Sequence, residues 1–208
     1  MTTTEHQQKS EQSELAIIRK AQRGDGRAFA RLVKEYETVV YSFAFKVCRD
    51  KEKAEEAWQD TFISVFRKLR QFDGKSKFTT WLYSIVVNNC RMKHRHTKLE
   101  QATVRIDIPE RLHEDPVLDE QGHKVQTLPS WKGTPIDSLM NKELRSLLDS
   151  AITKLPLDYR VVFILRDVEG KSADEVSKML KLSIPAVKSR LRRARVFLRE
   201  QLNEYMST

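Results

Sequence analysis

The chain has 208 residues, of which 38 are Lys or Arg and 29 are Asp or Glu, so its formal net charge is +9. This length allows one or two domains, and the basic excess favours nucleic acid or another anionic surface as a partner. No apolar run approaches the roughly 20 residues of a membrane span, and the polar N-terminus lacks the apolar segment of a signal peptide. We therefore expect a cytoplasmic protein with a disordered tail over residues 1–13.

The first domain is predicted to be helical. A short helix over residues 14–23 ends at a Gly-Asp-Gly break, and a second helix over 27–49 carries a broad apolar stripe. Asp50 is a candidate cap for a third helix, over residues 51–72. The outer face of that helix is acidic, although the protein as a whole is basic, and would suit a protein partner. It carries Glu52, Glu55, Glu56, Gln59 and Asp60.

A fourth helix is predicted over residues 81–96, with Thr79 or Thr80 as its cap. Its second half carries the adjacent pair Asn88 and Asn89. Because Asn is a poor helix former, an adjacent pair in mid-helix indicates a face that recognises a nucleic acid. The alternative, that both side chains only hydrogen-bond to solvent, stays open.

The helical periodicity fails over residues 98–138, where prolines and glycines gather. Between residues 101 and 139 there are seven acids and four bases, a local net charge of −3. A segment of about forty residues without periodicity is longer than an ordinary loop, so it is predicted to be a flexible linker. The expected fold is all-α, with a domain over residues 14–97 and a second over 139–208.

The second domain is predicted to contain a helix-turn-helix. Ser172 and Glu175 have the spacing of a capping box, which begins a short helix that ends near Leu180. Ser183 then caps a longer helix that has Pro185 in its first turn. A short helix, a tight turn and a longer basic helix is the arrangement whose second helix enters the major groove of DNA.

The last helix is strongly basic around its apolar stripe. Its cations are Lys188, Arg190, Arg192, Arg193, Arg195 and Arg199, six within twelve residues. They repel one another unless a polyanion lies nearby, so the pattern predicts nucleic-acid binding rather than only a solvated face.

The sequence shows no pattern typical of catalysis. It has no phosphate-binding Gly-rich loop, no nucleophile elbow and no zinc-protease motif, so we expect neither an enzyme nor a bound cofactor. Cys48 and Cys90 are its only cysteines. Cys90, His94 and His96 lack a fourth ligand at a recognised spacing, which argues against a metal site.

Three segments, in this order, resemble the extracytoplasmic-function sigma factors, the small class of bacterial RNA polymerase specificity subunits in the sigma-70 family. The segments read EEAWQDTF over residues 55–62, FDGKSKFTTWLYSI over 72–85 and VKSRLRRAR over 187–195. The resemblance spans nearly all of the chain except the first dozen residues and the linker. It implies a bacterial protein that directs core RNA polymerase to promoters.

For the first domain, the resemblance implies two interfaces. The acidic helix would dock on the largest subunit of core polymerase through Glu56, Gln59, Asp60 and Phe62. The following loop would capture a base flipped from the non-template strand while the minus-ten element is melted. Asn88 and Asn89 would read or line that element, and Lys93 and Arg95 would hold its phosphates. The loop residues are Asp73, Gly74, Lys75, Ser76 and Lys77.

For the second domain, the resemblance implies that the last helix enters the major groove at the minus-thirty-five element. The residues expected at bases and phosphates are Ser183, Lys188, Ser189, Arg190, Arg192, Arg193 and Arg199. The linker would thread the polymerase cleft near the path of RNA, where its acidic charge could mimic nucleic acid. The expected polymerase partners are the largest and second-largest subunits of the core. Members of this class are commonly controlled by an anti-sigma protein, so one is an expected partner.

Four positions depart from the family pattern. Trp58 replaces a smaller apolar residue on the docking helix and is interpreted as a core residue. Lys181 stands where Gly is usual, so either a left-handed backbone there is strained or the turn differs. Pro185 and Ala186 replace the usual Gly-Thr, which removes a hydroxyl that would contact a phosphate.

Two other functions compete with promoter specificity. A free-standing transcriptional regulator would have a dimerisation or ligand module as its first domain, and it would not need a second DNA surface at residues 72–96. An RNA-binding adaptor would need an exposed aromatic platform, which the sequence does not indicate.

Overall fold

The computed structural model describes residues 13–100 and 137–206, and side chains within 13–95 and 145–202. All regular structure in these ranges is helical, which confirms the predicted all-α fold. The predictions for the tail and for most of the linker fall outside the described residues. Below, residues 13–100 are called the N-terminal half and residues 137–206 the C-terminal half.

The N-terminal half contains four α-helices. They are α1 (residues 13–22), α2 (Gly26–Cys48), α3 (Lys51–Lys68) and α4 (Phe78–Glu100), and a short 3₁₀ turn (Leu69–Gln71) follows α3. Asp25 caps α2 by accepting from the backbone N–H groups of Arg27 and Ala28, and Asp50 caps α3 as predicted. Helix α4 begins at Phe78, earlier than predicted, because the Lys77 carbonyl accepts from the N–H groups of Thr80 and Trp81.

The core of this half forms where α2, α3 and α4 pack together. Phe43, Ala57 and Val86 are at most 1 % exposed, and the rings of Phe43 and Tyr83 meet edge to face, with centroids 4.7 Å apart. The helical spacing of the apolar residues of α3 also predicts that Phe66 lies in its apolar stripe. That prediction is wrong, because Phe66 is 66 % exposed; its ring meets the ring of Phe29 edge to face, at a centroid distance of 5.1 Å.

The C-terminal half contains α5 (Asp137–Lys154), α6 (Leu157–Phe163), α7 (Ala173–Leu180) and α8 (Ile184–Met206). A π-helical turn (Ile164–Val168) extends α6, and Gly170, with φ 65°, ends it. Helix α7 begins with the predicted capping box of Ser172 and Glu175, and the Ser183 hydroxyl accepts from the Ala186 N–H at the start of α8. The predicted helix-turn-helix is therefore present.

The turn between α7 and α8 depends on a strained residue. Lys181 has φ 55° and ψ 44°, which is the left-handed conformation and the first of the two alternatives that the sequence left open, and its N–H donates to the Ser177 carbonyl. The Ser177 hydroxyl donates to the Leu182 carbonyl oxygen at 2.6 Å. These bonds hold a conformation that glycine would adopt without steric cost.

The two halves pack against each other, with α6 beside α2 and α7 beside α4. Arg160 is only 5 % exposed and donates to the Val47 carbonyl of α2 and to two carbonyls of its own half, those of Thr153 and Leu155. Its burial, and then the neighbouring charge of Arg49, lower the pKa of Arg160 to about 10. The local patterns of the sequence did not predict this contact between the halves.

A second group of contacts joins the halves around Glu169. Its carboxylate accepts from Lys46 Nζ at 2.7 Å and from the Tyr83 hydroxyl at 2.9 Å. Burial, together with the Glu169 charge, raises the pKa of Tyr83 well above its usual value, so this phenol remains a donor. The Lys171 ammonium lies over the Tyr83 ring, 5.2 Å from its centroid.

Candidate nucleic-acid interfaces

The basic helix α8 keeps one face for packing and leaves the other accessible. Val187, Leu191, Ala194 and Leu198 are all at most 7 % exposed and form an apolar stripe, as the sequence predicted. The sequence also predicts Ile184 in this stripe, and that part is wrong, because Ile184 is 40 % exposed. The basic side chains lie around this stripe, and the Nε atom of Arg193 is itself buried. Lys188 is exposed, and Ser189, Arg190, Arg192, Arg193 and Arg199 are half-buried.

Two arginines of α8 have acidic partners within the C-terminal half. Arg195 binds Asp167 through two hydrogen bonds of 2.8 and 2.6 Å, and this partner raises the pKa of Arg195. Arg190 lies 3.9 Å from Asp158, which also accepts from Arg91 of α4 at 2.9 Å. Since a carboxylate already neutralises Arg195, we expect that residue to orient α8 rather than to hold DNA.

The loop at residues 73–77 stands on a rigid aromatic base. The rings of Phe72, Phe78 and Trp81 lie with their centroids 5.4 to 5.6 Å apart, so Trp81 packs within this aromatic group. From α1, the side-chain amide of Gln22 donates to the carbonyls of Leu69 and Phe72, at 2.9 and 2.8 Å. No local pattern in the sequence indicates this role of Gln22, because the contact joins residues about fifty positions apart.

The loop itself is accessible and locally ordered. Asp73 accepts from the Lys75 N–H at 3.1 Å and pairs with the Lys75 ammonium at 3.0 Å, and these bonds lower the pKa of Asp73. Gly74 has φ 74°, a conformation that suits glycine. Ser76 is half-buried and Lys77 is exposed. A loop of this kind presents charged and polar groups to solvent while its two ends are fixed by buried rings.

The paired asparagines of α4 have different environments. Asn88 is exposed, whereas Asn89 is 8 % exposed and donates to the Thr61 hydroxyl at 3.1 Å. Thr61 in turn donates to the Ala57 carbonyl. This burial counts against a direct DNA contact by Asn89 and gives it a structural role between α4 and α3. Its position in the apolar stripe, three residues after Val86, was the signal for burial in the sequence.

The acidic face of α3 lies beside the basic end of α4. Glu56 and Gln59 are exposed, and Asp60 and Phe62 are half-buried, with Phe62 packed edge to face on Trp58. Lys93 of α4 pairs with both Glu56 and Asp60, and Arg95, two residues further along, is exposed. The structure therefore brings the residues predicted for polymerase and for DNA into direct contact.

The α3 face also exposes apolar groups that the sequence did not identify as a surface. Ile63 is 48 % exposed and Phe66 is 66 % exposed, and both lie on the helix that carries the acids. Apolar groups among acids are typical of a surface that binds another protein.

The fold and these surfaces define an all-helical DNA-binding protein whose C-terminal half is a helix-turn-helix module. Comparison with known families identifies it further. Residues 32–99 match the family described as Sigma-70 region 2, and residues 145–198 match Sigma-70, region 4. Together the two matches cover more than half of the chain. The chain belongs to the sigma-70 family of RNA polymerase sigma factors, in its extracytoplasmic-function class, as the sequence motifs predicted.

Similar proteins cover nearly the whole chain. The RNA polymerase sigma-H factor of Pseudomonas aeruginosa is 28 % identical over 186 residues, 89 % of this chain and 92 % of the relative. The ECF RNA polymerase sigma factor SigW of Bacillus subtilis is 29 % identical over 188 residues, 90 % of this chain and 95 % of the relative.

Two solved structures have a similar fold. CnrH in complex with the cytosolic domain of CnrY matches with a TM-score of 0.60 and 23 % identity, over 91 % of this chain and 96 % of that one. The sigma factor RpoE of Bartonella quintana, in complex with the anti-sigma factor NepR, matches with a TM-score of 0.57 and 23 % identity, over 84 % and 96 %. Among the described residues, no helix is long and apolar enough to cross a membrane.

Proposed function

We propose that this chain binds core RNA polymerase and directs it to promoters by contacting DNA at two places. Helix α8 enters the major groove at the minus-thirty-five element, and the loop at residues 73–77 with the exposed face of α4 binds the melted minus-ten element. Helix α3 docks on the largest polymerase subunit. The observation that carries the proposal is the presence of regions 2 and 4, in that order, on one chain.

The geometry of α8 supports its part in this function. Its apolar stripe is buried in its own half, so the basic face is available to a partner. Lys188 is exposed on the half of the helix that enters the groove, where its ammonium would bind a phosphate of the DNA backbone. Phosphate contacts by such residues position the protein, whereas the contacts to bases determine sequence preference.

The docking face of α3 supports the polymerase contact. Its acids fit a basic partner surface, and the exposed Ile63 and Phe66 supply apolar area beside them. We expect Asp60→Lys to weaken association with core polymerase, because it reverses a charge in this face. A quantitative pull-down measures the effect, and undiminished binding would contradict the assigned role of α3.

We also propose that this chain acts in the bacterial cytoplasm and that an anti-sigma protein controls it there. The related structures of CnrH and RpoE were solved with CnrY and with the anti-sigma factor NepR, respectively. Pull-down from a native extract under conditions that silence transcription tests this partner. An inactive pool of chain without any bound protein would contradict the proposed control.

The decisive experiment is reconstitution with core polymerase. The holoenzyme is expected to transcribe a subset of a promoter library, and core polymerase alone is expected to transcribe none of it. If the chain bound a palindromic duplex tightly by itself and never associated with polymerase, it would instead be a free-standing regulator.

Lys188→Ala then tests α8 on a selected promoter, where the slope of log affinity against log salt is expected to fall by about 1 without a change in sequence preference.

A further inference from the structure

Lys93 lies at the meeting point of the two interfaces of the N-terminal half. Its ammonium is 2.9 Å from Glu56 Oε2 and 2.8 Å from Asp60 Oδ2, both on α3, while Lys93 itself belongs to α4. The Lys93 side chain is 24 % exposed, and the two acids are 58 % and 45 % exposed. All three side chains are therefore within reach of an incoming partner.

The single ammonium of Lys93 pairs with two carboxylates, those of Glu56 and Asp60. Glu56 and Asp60 are four residues apart on one helix, where like charges repel each other. An ammonium has three N–H donors, so Lys93 binds both carboxylates and removes this repulsion. The hydrogen bonds that Lys93 donates to Asp60 and then to Glu56 raise the pKa of Lys93, so they favour its charged form.

These same groups are the ones that the proposed function assigns to different partners. Glu56 and Asp60 face a basic polymerase surface, and Lys93 faces a DNA phosphate. A carboxylate bound to Lys93 is less available to the polymerase, and Lys93 bound to carboxylates is less available to DNA.

We propose that Lys93 couples the two interfaces. When a basic polymerase surface binds Glu56 and Asp60, the Lys93 ammonium is released and can bind a phosphate of the minus-ten strand. Conversely, when a phosphate binds Lys93, the two carboxylates are released to the polymerase. This inference rests on the proposed function and adds to it a positioning residue that links polymerase docking to DNA binding.

The coupling has a defined sign and size. Because binding free energies are linked, DNA strengthens polymerase binding by the same factor as polymerase strengthens DNA binding. Lys93 forms two partly exposed ion pairs, and such pairs contribute little free energy each. We therefore expect Lys93 to account for about two- to fivefold of the mutual strengthening of DNA and polymerase binding.

The test is a binding cycle with the full chain. The affinity for core polymerase is measured with and without a saturating single-stranded oligonucleotide that carries the selected minus-ten sequence. We expect Lys93→Met to bind polymerase alone as tightly as the natural chain or about two- to fivefold more tightly, since the competing cation is gone. The gain from the oligonucleotide is expected to shrink by a similar factor.

Matched variants separate coupling from structural damage. Lys93→Arg keeps the cation and is expected to restore the coupling. Lys178→Met removes a lysine from another exposed Lys–Asp pair, 2.6 Å from Asp174 on α7, and is expected to leave the coupling unchanged. Asp60→Asn tests the same network from the other helix, and it is expected to weaken polymerase binding while reducing the coupling.

Two results would overturn the inference alone. One is an unchanged gain from the oligonucleotide in Lys93→Met. The other is weaker polymerase binding by Lys93→Met that follows a lower melting temperature, which would make Lys93 only a structural residue. A natural chain that does not bind core polymerase at all would overturn the proposed function as well, so the two failures are distinct.

Discussion

The guanidinium of Arg160 donates to the backbone carbonyl oxygen of Val47 at 2.9 Å, across 113 positions of sequence. This bond joins a helix of the C-terminal half to the last turn of α2. The same guanidinium also binds the carbonyls of Thr153 and Leu155, so it holds the end of α5 as well as the contact between the halves.

Arg160→Lys tests this contact. A lysine ammonium cannot span the three carbonyls as a guanidinium does, so at least one buried acceptor loses its partner. We expect the free energy of unfolding to fall by about 2 kcal/mol in urea titration. Arg145→Lys, at an exposed position of α5, is the matched control and is expected to change stability by less than about 0.5 kcal/mol. Equal stability of the two variants would show that the Arg160 bonds contribute nothing net.

Lys181→Gly is expected to stabilise the protein. Lys181 adopts φ 55°, which costs a non-glycine residue about 1 kcal/mol, while glycine is free of that steric cost. Part of the gain is offset because glycine also makes the unfolded chain more flexible. Thermal unfolding measures the change, and Lys181→Ala controls for the lost charge, since alanine retains the steric cost. A gain of the same size in Lys181→Ala would assign the effect to charge.

The two asparagines of α4 are expected to separate stability from promoter binding. Asn89→Ala removes the donor to the buried Thr61 hydroxyl and should lower stability by about 1 kcal/mol. Asn88→Ala changes an exposed side chain, so it should leave stability unchanged and weaken binding to minus-ten DNA. Urea titration and oligonucleotide binding by the holoenzyme give the two values. If Asn88→Ala lowered stability and Asn89→Ala weakened only the binding of minus-ten DNA, the structural role would belong to Asn88 and the DNA contact to Asn89.

The capping box of α7 predicts a pH dependence. Hydrogen bonds from Ser172 lower the pKa of Glu175 below its ordinary value of 4.5, so folding favours the ionised carboxylate. Its contribution is complete above pH 4.5 and is lost as the pH falls through the lower folded pKa. Glu175→Gln does not titrate, so the stability difference between the natural chain and this variant should shrink between pH 6 and pH 3. A difference that stays constant with pH would contradict this role.

The sequence predicted the elements that depend on local pattern. The stripe of α8, the Asp50 cap and the capping box of α7 are each specified by residues a few positions apart, and each is present. The start of α4 was predicted too late, because a Thr caps a helix only where its own backbone is not helical, and Thr79 and Thr80 both lie inside α4. Here the Lys77 carbonyl already begins the helix.

Long-range contacts could not be predicted in this way. Gln22 supports the loop through carbonyls about fifty residues away, and Glu169 joins Lys46 and Tyr83 of the other half. The periodicity of a sequence does not indicate such contacts, because the two residues of each contact come together only after the helices have packed. The same holds for Lys93, which the sequence indicated as a phosphate contact but not as the partner of two acids on α3.

The only two thiols of the chain are both buried inside the N-terminal half. Cys48 is 9 % exposed and Cys90 is 1 % exposed, so little of either side chain is open to a reagent. Maleimide dyes will therefore react slowly with the native protein. Lys68→Cys together with Lys178→Cys, both at exposed positions, would place a donor and an acceptor fluorophore on opposite halves without first removing the natural cysteines. Energy transfer between them would then report, one molecule at a time, whether the halves part when polymerase is added.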